Sequence, residues 1–326
     1  MRRREFITLV GGATLTWPVA ARAQQPERMR RIGVLMPFPK DNAEGRARIA
    51  AFLQELRQLG WIDGRNVKIE YRFDAGDLRK AATELLTLSP EVILASATPA
   101  TAALQQATRT VPIVFAQVAD PISAGFVASL AKPGANITGF TNFDYTMGAK
   151  WLELLKEIAP NVTRVGVIRE PTVTASIGQL AAINSVAPSF RVEVSPLGGV
   201  DARDIELTVT EFARGPNDGL IVSATPLTAN NRGLIISLAA QHRLPAVYPF
   251  PFYVADGGLI CYGPDSIEPH RQAAHYVDRI LKGEKPSDLP VQAATKFELV
   301  INLKTAKALG LTVPNSVLSR ANQVLE

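Results

Sequence analysis

The residues of this chain that could do chemistry are polar rather than nucleophilic. Thr98 and Thr225 each stand directly before a proline, in Ala97-Thr98-Pro99 and Ala224-Thr225-Pro226. A threonine before proline suits the start of a helix, with the hydroxyl as N-cap and the proline in the first turn. The same start leaves N–H groups that can hold an anion such as a carboxylate. Asp120, in Asp120-Pro121, reads either as another cap or as a carboxylate in a cleft. Tyr248, Phe250, Phe252 and Tyr262 fall near similar positions, where they pack a core or wall a cleft.

Patterns that carry catalysis are missing. The sequence has no G-x-x-x-x-G-K-[ST], no H-E-x-x-H, no G-x-S-x-G and no dinucleotide fingerprint after a strand. Of the 3 histidines, His270 and His275 are five apart, a spacing that does not share a helix face for metal binding. His242 falls near a helix C-terminus, where a partial positive charge is favourable. All three read as structural. The single cysteine, Cys261, excludes an intrachain disulfide and a cysteine-based metal site. In Gly258-Leu259-Ile260-Cys261-Tyr262 it reads as a small hydrophobe. No catalytic residue, metal or cofactor is expected.

The elements that must position Thr98 and Asp120 lie in Pro90 to Pro121. An apolar strand (91–96) leads through Ala97-Thr98-Pro99 into a helix, and a second apolar strand (113–118) ends at Ala119-Asp120-Pro121. Two buried parallel strands joined by a helix put their polar residues at the carboxyl ends, where open α/β sheets bind ligands. Before this unit come a strand at 31–37, a helix at 44–59 with Ile49, Phe52, Leu53, Leu56 and Leu59 at helical spacing, a strand at 66–72 and a helix at 78–88. A short helix at 124–130, a strand at 136–142 and a helix at 147–159 follow. From Arg164 the pattern restarts: Val165-Gly166-Val167-Ile168 mirrors Ile32-Gly33-Val34-Leu35, and Ala224-Thr225-Pro226 repeats Ala97-Thr98-Pro99. The fold class is therefore α/β, with two similar Rossmann-like lobes, each on a parallel sheet, and a ligand cleft between them. No Gly/Ser linker separates the lobes, which predicts strands that cross over rather than one flexible tether. The expected division is residues 29–141 plus about 262–290 for the first lobe and 142–261 plus about 291–326 for the second.

Residues 1–23 read as an export signal. Arg2-Arg3-Arg4 precede a moderately apolar run and the small-x-small site Ala21-Arg22-Ala23, and Arg3-Arg4-Glu5-Phe6-Ile7 fits the twin-arginine pattern beside the ordinary secretory one. No cysteine follows the cleavage site, which argues against a lipid anchor. Arg2, Arg3, Arg4 and Arg22 against Glu5 hold +3 of the formal net charge of +5. The remainder is too near neutral to indicate a nucleic acid or membrane-surface partner.

With an export signal, two lobes and no catalytic set, the chain resembles the ABC transporter substrate-binding proteins, the family with tryptophan- and phenylalanine-binding members. The resemblance rests on Ala97-Thr98-Pro99-Ala100, on Pro112-Ile113-Val114-Phe115 with Asp120-Pro121, on 132–139 (KPGANITG) and on 299–307 (LVINLKTAK). It implies a type I periplasmic-binding architecture that clamps a small-molecule ligand and, as a monomer in the periplasm, hands it to an ABC permease at the inner membrane. Carried over by position, the implied ligand residues are Thr98, Pro99, Asp120, Thr141, Thr225, Tyr248 and Asp265, with Tyr262 beside them. Where amino-acid-binding relatives tend to have a Gly- and acid-rich stretch, this chain has Tyr248-Pro249-Phe250-Pro251-Phe252-Tyr253. That departure favours an aromatic or apolar ligand, an acid or an amino acid. A sensing module feeding a receptor is the alternative, and an α/β enzyme a more remote one.

Overall fold

Two sheets organise the chain, and their strand orders repeat. The computed structural model describes residues 29–74 and 76–326, so the export signal read at 1–23 lies outside the described residues. The first half runs β1 (Arg30–Met36), α1 (Ala43–Gln58), β2 (Val67–Phe73), α2 (Leu78–Thr87), β3 (Val92–Ser96), α3 (Ala97–Ala107), β4 (Ile113–Val118) and β5 (Ile137–Thr141). The second runs α4 (Met147–Ile158), β6 (Arg164–Arg169), α5 (Thr174–Val186), β7 (Glu193–Gly198), α6 (Ala202–Phe212), β8 (Asp218–Val222), α7 (Pro226–Asn230), α8 (Arg232–Gln241), β9 (Ala246–Tyr248), α9 (Pro251–Ala255) and β10 (Ile260–Pro264). The tail adds α10 (Glu268–Leu281), β11 (Gln292–Ala293), β12 (Phe297–Asn302), α11 (Leu303–Ala308), α12 (Asn315–Leu318) and β13 (Gln323–Leu325).

The first sheet has the order β11-β5-β4-β3-β1-β2 and the second β13-β12-β10-β9-β8-β6-β7. Every pairing in the first is parallel. The second departs from the expected all-parallel sheet at one place, where β12 runs antiparallel to β10. The central strands are apolar along their length because helices cover both faces. Ile32, Val34 and Met36 join the core under α1 and α10, while Leu35, Ile93 and Phe115 join the one under α2 and α3, as the two-residue period of a strand requires. Each such buried side chain contributes about 1.5–3 kcal/mol. Gly33 and Gly166 mark the corresponding strands because helices press closely on them. A Cβ on Gly33 would lie 3.0 Å from the Leu85 side chain of α2, and one on Gly166 3.0 Å from that of Phe212 on α6, with Leu197 of the neighbouring strand β7 nearer still at 2.6 Å. Between Pro121 and Leu130 the expected helix is replaced by turns. Ala124 N–H donates to the Asp120 carbonyl, and Gly125 takes φ +74°, which a continuing helix does not allow.

The chain crosses between the sheets at 142–146, at 265–267 and at 294–296. The last two crossings fall a few residues later than the sequence suggests. β10 completes its place in the second sheet before the chain leaves it, and β11 pairs with β5 in the first. α10 then buries Ala273, Ala274, Tyr276, Val277 and Ile280 on the first lobe, and Trp61 Nε1 donates to Asp278 Oδ1 at 2.8 Å to fix it against the end of α1.

Candidate functional site

The carboxyl ends of both sets of parallel strands face each other, and the polar residues gather there. At the end of β3 the backbone turns sharply through Ala97 (φ +63°) and α3 starts at once. Ser96 is therefore the N-cap residue, and it makes no side-chain cap bond. Its hydroxyl instead meets His270 Nε2 at 3.0 Å. Burial and the charge of Arg48 hold that imidazole well below the ordinary histidine value, so it is neutral. Thr98 and Pro99 lie inside the first turn rather than at its cap as the sequence suggests, and the N–H groups of that turn are left open. Both residues line a cleft of about 350 Å³ whose opposite wall, Glu170 to Thr174, belongs to the second lobe.

Thr225 does cap its helix. Its Oγ1 accepts from Thr228 N–H at 3.3 Å while Thr228 Oγ1 accepts from Thr225 N–H, a reciprocal capping box with Pro226 in the first turn. Glu170 stands beside this helix start and is pushed above the ordinary carboxylate range by burial, a shift that the Leu227 backbone and the Thr225 side chain oppose. The twin motifs are thus unlike: α3 begins without a side-chain cap, and α7 begins with a closed capping box.

The other expected residues divide into three places. Asp120 sits at φ +42°, where its carboxylate accepts from Ser123 N–H at 3.0 Å and Ser123 Oγ at 2.8 Å. Its own N–H donates to the Phe143 carbonyl, tying the end of β4 to the first crossing. Ala97, Gln117 and Asp120 are all non-glycine residues at positive φ near these strand ends, each costing roughly 1–2 kcal/mol that surrounding contacts must offset. Thr141 and the exposed Asp265 line a second cavity of about 290 Å³ between the crossings, beside Ala294 and Thr295. Thr141 Oγ1 donates to the Val118 carbonyl at 2.7 Å, and Asp265 accepts from Ile267 N–H at 2.7 Å. These two belong to the hinge. Tyr248 is 1% exposed and stacks on Tyr253 at 5.1 Å in the second-lobe core. Burial raises its hydroxyl pKa, and the structure does not bring it to the cleft. Tyr262 stacks on Phe297 at 5.7 Å, its carbonyl accepting from Trp151 Nε1 at 2.8 Å. Cys261 is fully buried and its thiol is pushed up to about 12 by burial, in keeping with a packing role.

Sequence reading misses a further set. Buried polar atoms without a hydrogen-bond partner among the described residues include Arg48 Nε, Gln117 Nε2, Tyr145 Oη, Glu170 Oε2, Ser223 Oγ and Tyr253 Oη. Arg48 is in α1, Gln117 is in β4, and Tyr145 is on the first crossing. Glu170 follows β6, Ser223 follows β8, and Tyr253 lies in α9. Glu170 lines the interlobe cleft, Arg48 of the first lobe and Tyr253 of the second are near enough to act on one another, and the set offers both donors and acceptors. Each such group costs about 1–3 kcal/mol while unpaired. An apolar wall adjoins them. Phe250 stacks on Phe252 at 5.5 Å, and Phe252 packs against the cores of both lobes. Across the same gap Asn42 Nδ2 donates to Asn230 Oδ1 at 3.1 Å and Asn230 Nδ2 to the Pro37 carbonyl at 3.4 Å. The arrangement can enclose a small molecule with an apolar body and a few polar groups.

Known proteins share this layout. A family model described as ABC transporter substrate binding protein matches residues 33–325. A tyrosine-binding protein of Clostridioides difficile (strain R20291) is 28% identical over 263 residues, 80% of this chain and 75% of that protein. Among solved structures, an ABC domain in complex with L-Trp from Streptococcus pneumoniae has a TM-score of 0.83 at 27% identity, covering 91% of this chain and 100% of that one. The ligand-free, open structure of a substrate binding protein with adhesive properties from Clostridium difficile has a TM-score of 0.63 at 26% identity, covering 91% and 99%.

Proposed function

We propose, for a chain that belongs to the ABC transporter substrate-binding protein family, that the interlobe cleft captures a small aromatic or apolar acid or amino acid by closure of the two lobes. The observation that carries this reading is a cavity walled by both lobes, with Thr98 and Pro99 opposite Glu170, together with unpaired buried polar atoms from each lobe, Arg48 Nε and Tyr253 Oη among them, that stand near one another. A ligand that pairs them lowers the free energy of the closed arrangement only, which is what drives a hinge. Phe250 and Phe252 provide the apolar wall, Thr98 and the open start of α3 the polar contact from the first lobe, and Glu170 that from the second. A tyrosine-binding relative and a tryptophan complex support the aromatic class. At nearly equal identity and coverage, the tryptophan complex superimposes far better than the open, ligand-free relative. That difference supports lobes standing in a closed arrangement here. Delivery to a permease at the inner membrane, from the periplasm, completes the role.

The test is thermal-shift and calorimetric screening of residues 24–326 against L-tyrosine, L-tryptophan, L-phenylalanine and simple aromatic carboxylates, with sugars and aliphatic amino acids as controls. A ligand at a hundred times its Kd stabilises the folded state by about 2.7 kcal/mol, a shift easily read. Stabilisation by sugars alone, or chemical conversion of the bound aromatic, would defeat the reading.

A further inference from the structure

Arg48 is 2% exposed on α1, and no ion pair accounts for its charge. None of the ion pairs among the described residues includes it, and its Nε has no hydrogen-bond partner among them. The Phe38 ring covers one face of the guanidinium, 4.7 Å from the centroid, which leaves the planar edge with its donors. Glu44, one helical turn earlier, and Asp265 at the second crossing act on it as charges without reaching ion-pair distance, and Tyr253 and Arg232 approach from the second lobe. Burial dominates, and the guanidinium is drawn down to about 10. Ser96, His270 and the open start of α3 adjoin the same spot.

We propose that Arg48 is the anchor for a ligand carboxylate and that this anion permits the lobes to close. Closure brings Tyr253 and Arg232, the latter already paired with Asp256, near a guanidinium that has no ion-pair partner of its own. A buried charge left in that state is strongly unfavourable, and a bidentate carboxylate removes the penalty. An empty or neutral-ligand cleft therefore favours the open form, in which water reaches the guanidinium. This inference rests on the cleft reading above and names its ligand class as carboxylates.

The experiment has two arms. In the first, L-tryptophan is compared with tryptophanamide, and 3-phenylpropionate with 3-phenylpropionamide, by calorimetry on the wild type and on Arg48→Gln. Each acid should bind the wild type at least about tenfold tighter than its amide, and Arg48→Gln should abolish that preference. Equal affinity of acid and amide for the wild type overturns the proposal. The second arm uses no ligand: small-angle scattering and thermal melts of wild type, Arg48→Gln and Arg48→Met. Both variants should be more compact than the wild type and melt no lower. If both melt several degrees lower, or neither is more compact, Arg48 is a structural residue and the proposal falls. If no aromatic probe binds either protein, the aromatic reading fails by itself, and the ligand-free arm alone decides for or against the anchor.

Discussion

Thr225→Ala and Thr98→Ala should behave differently although their sequence contexts match. Thr225 Oγ1 accepts from Thr228 N–H and the pair closes a capping box. Removing an N-cap threonine costs roughly 1–2 kcal/mol. The same side chain opposes the burial shift of the Glu170 carboxyl, and its loss there adds about 1 kcal/mol. The expected loss is about 2–3 kcal/mol, equivalent to a fall in melting temperature of roughly 3–5 °C for a chain of this size. Thr98 has no capping bond to lose, because α3 starts at Ala97. Thr98→Ala should shift the melt by less than about 2 °C while weakening the ligand found by screening. Thr225→Ser, which keeps the oxygen, should recover most of the loss. Circular-dichroism melts with calorimetry on the same samples separate the two effects. Equal melting temperatures for Thr98→Ala and Thr225→Ala would refute the assignment of cap and cleft roles.

Three further outcomes follow from the same geometry. Burial raises the Glu170 carboxyl above its ordinary value of 4.5, so the unfolded chain loses this proton first. Its favourable contribution is complete below that value and is lost as pH rises through the folded one. Glu170→Gln should flatten that decline in denaturant-unfolding free energy, and an unchanged slope would count against the buried position. Gly139→Ala should destabilise by about 3 kcal/mol or more, because φ is +153° and a Cβ would lie 2.1 Å from the Phe115 carbonyl oxygen between β4 and β5; a normal melting temperature would contradict this packing. Tyr253→Phe should remove a buried hydroxyl without a partner and raise ligand-free stability by about 1 kcal/mol while weakening ligand binding, whereas Tyr248→Phe should leave affinity unchanged. A larger effect of Tyr248 on affinity would reverse their placement.

Periodicity exposed the architecture because buried parallel strands must be apolar throughout and must stop where the chain turns. Ile32-Gly33-Val34 and Val165-Gly166-Val167 carry the same glycine for the same close helix contact, so the tandem lobes were legible. The site was less so. Thr98 to Thr101 and Thr225 to Thr228 have the same threonine spacing, and only tertiary context separates them. Thr101 Oγ1 bonds back to the Ala97 carbonyl and Ser96 turns to His270, while Thr228 completes a box. Arg48 does carry a trace in the sequence: it precedes Phe52 by four and Leu56 by eight, on the buried stripe of α1. Tyr248 misled because a strand-end aromatic carries no mark of which way its ring points.

The three crossings have a consequence for how this protein can be made and broken. α10 and β11, which close the first lobe, are translated only after nearly the whole second lobe. No contiguous fragment contains a complete first lobe without most of the second, and a ribosome must release most of the chain before that core can be sealed. The same threading protects the finished molecule. A protease that cuts one crossing leaves two covalent bridges between the halves, so a nicked protein keeps both jaws in register.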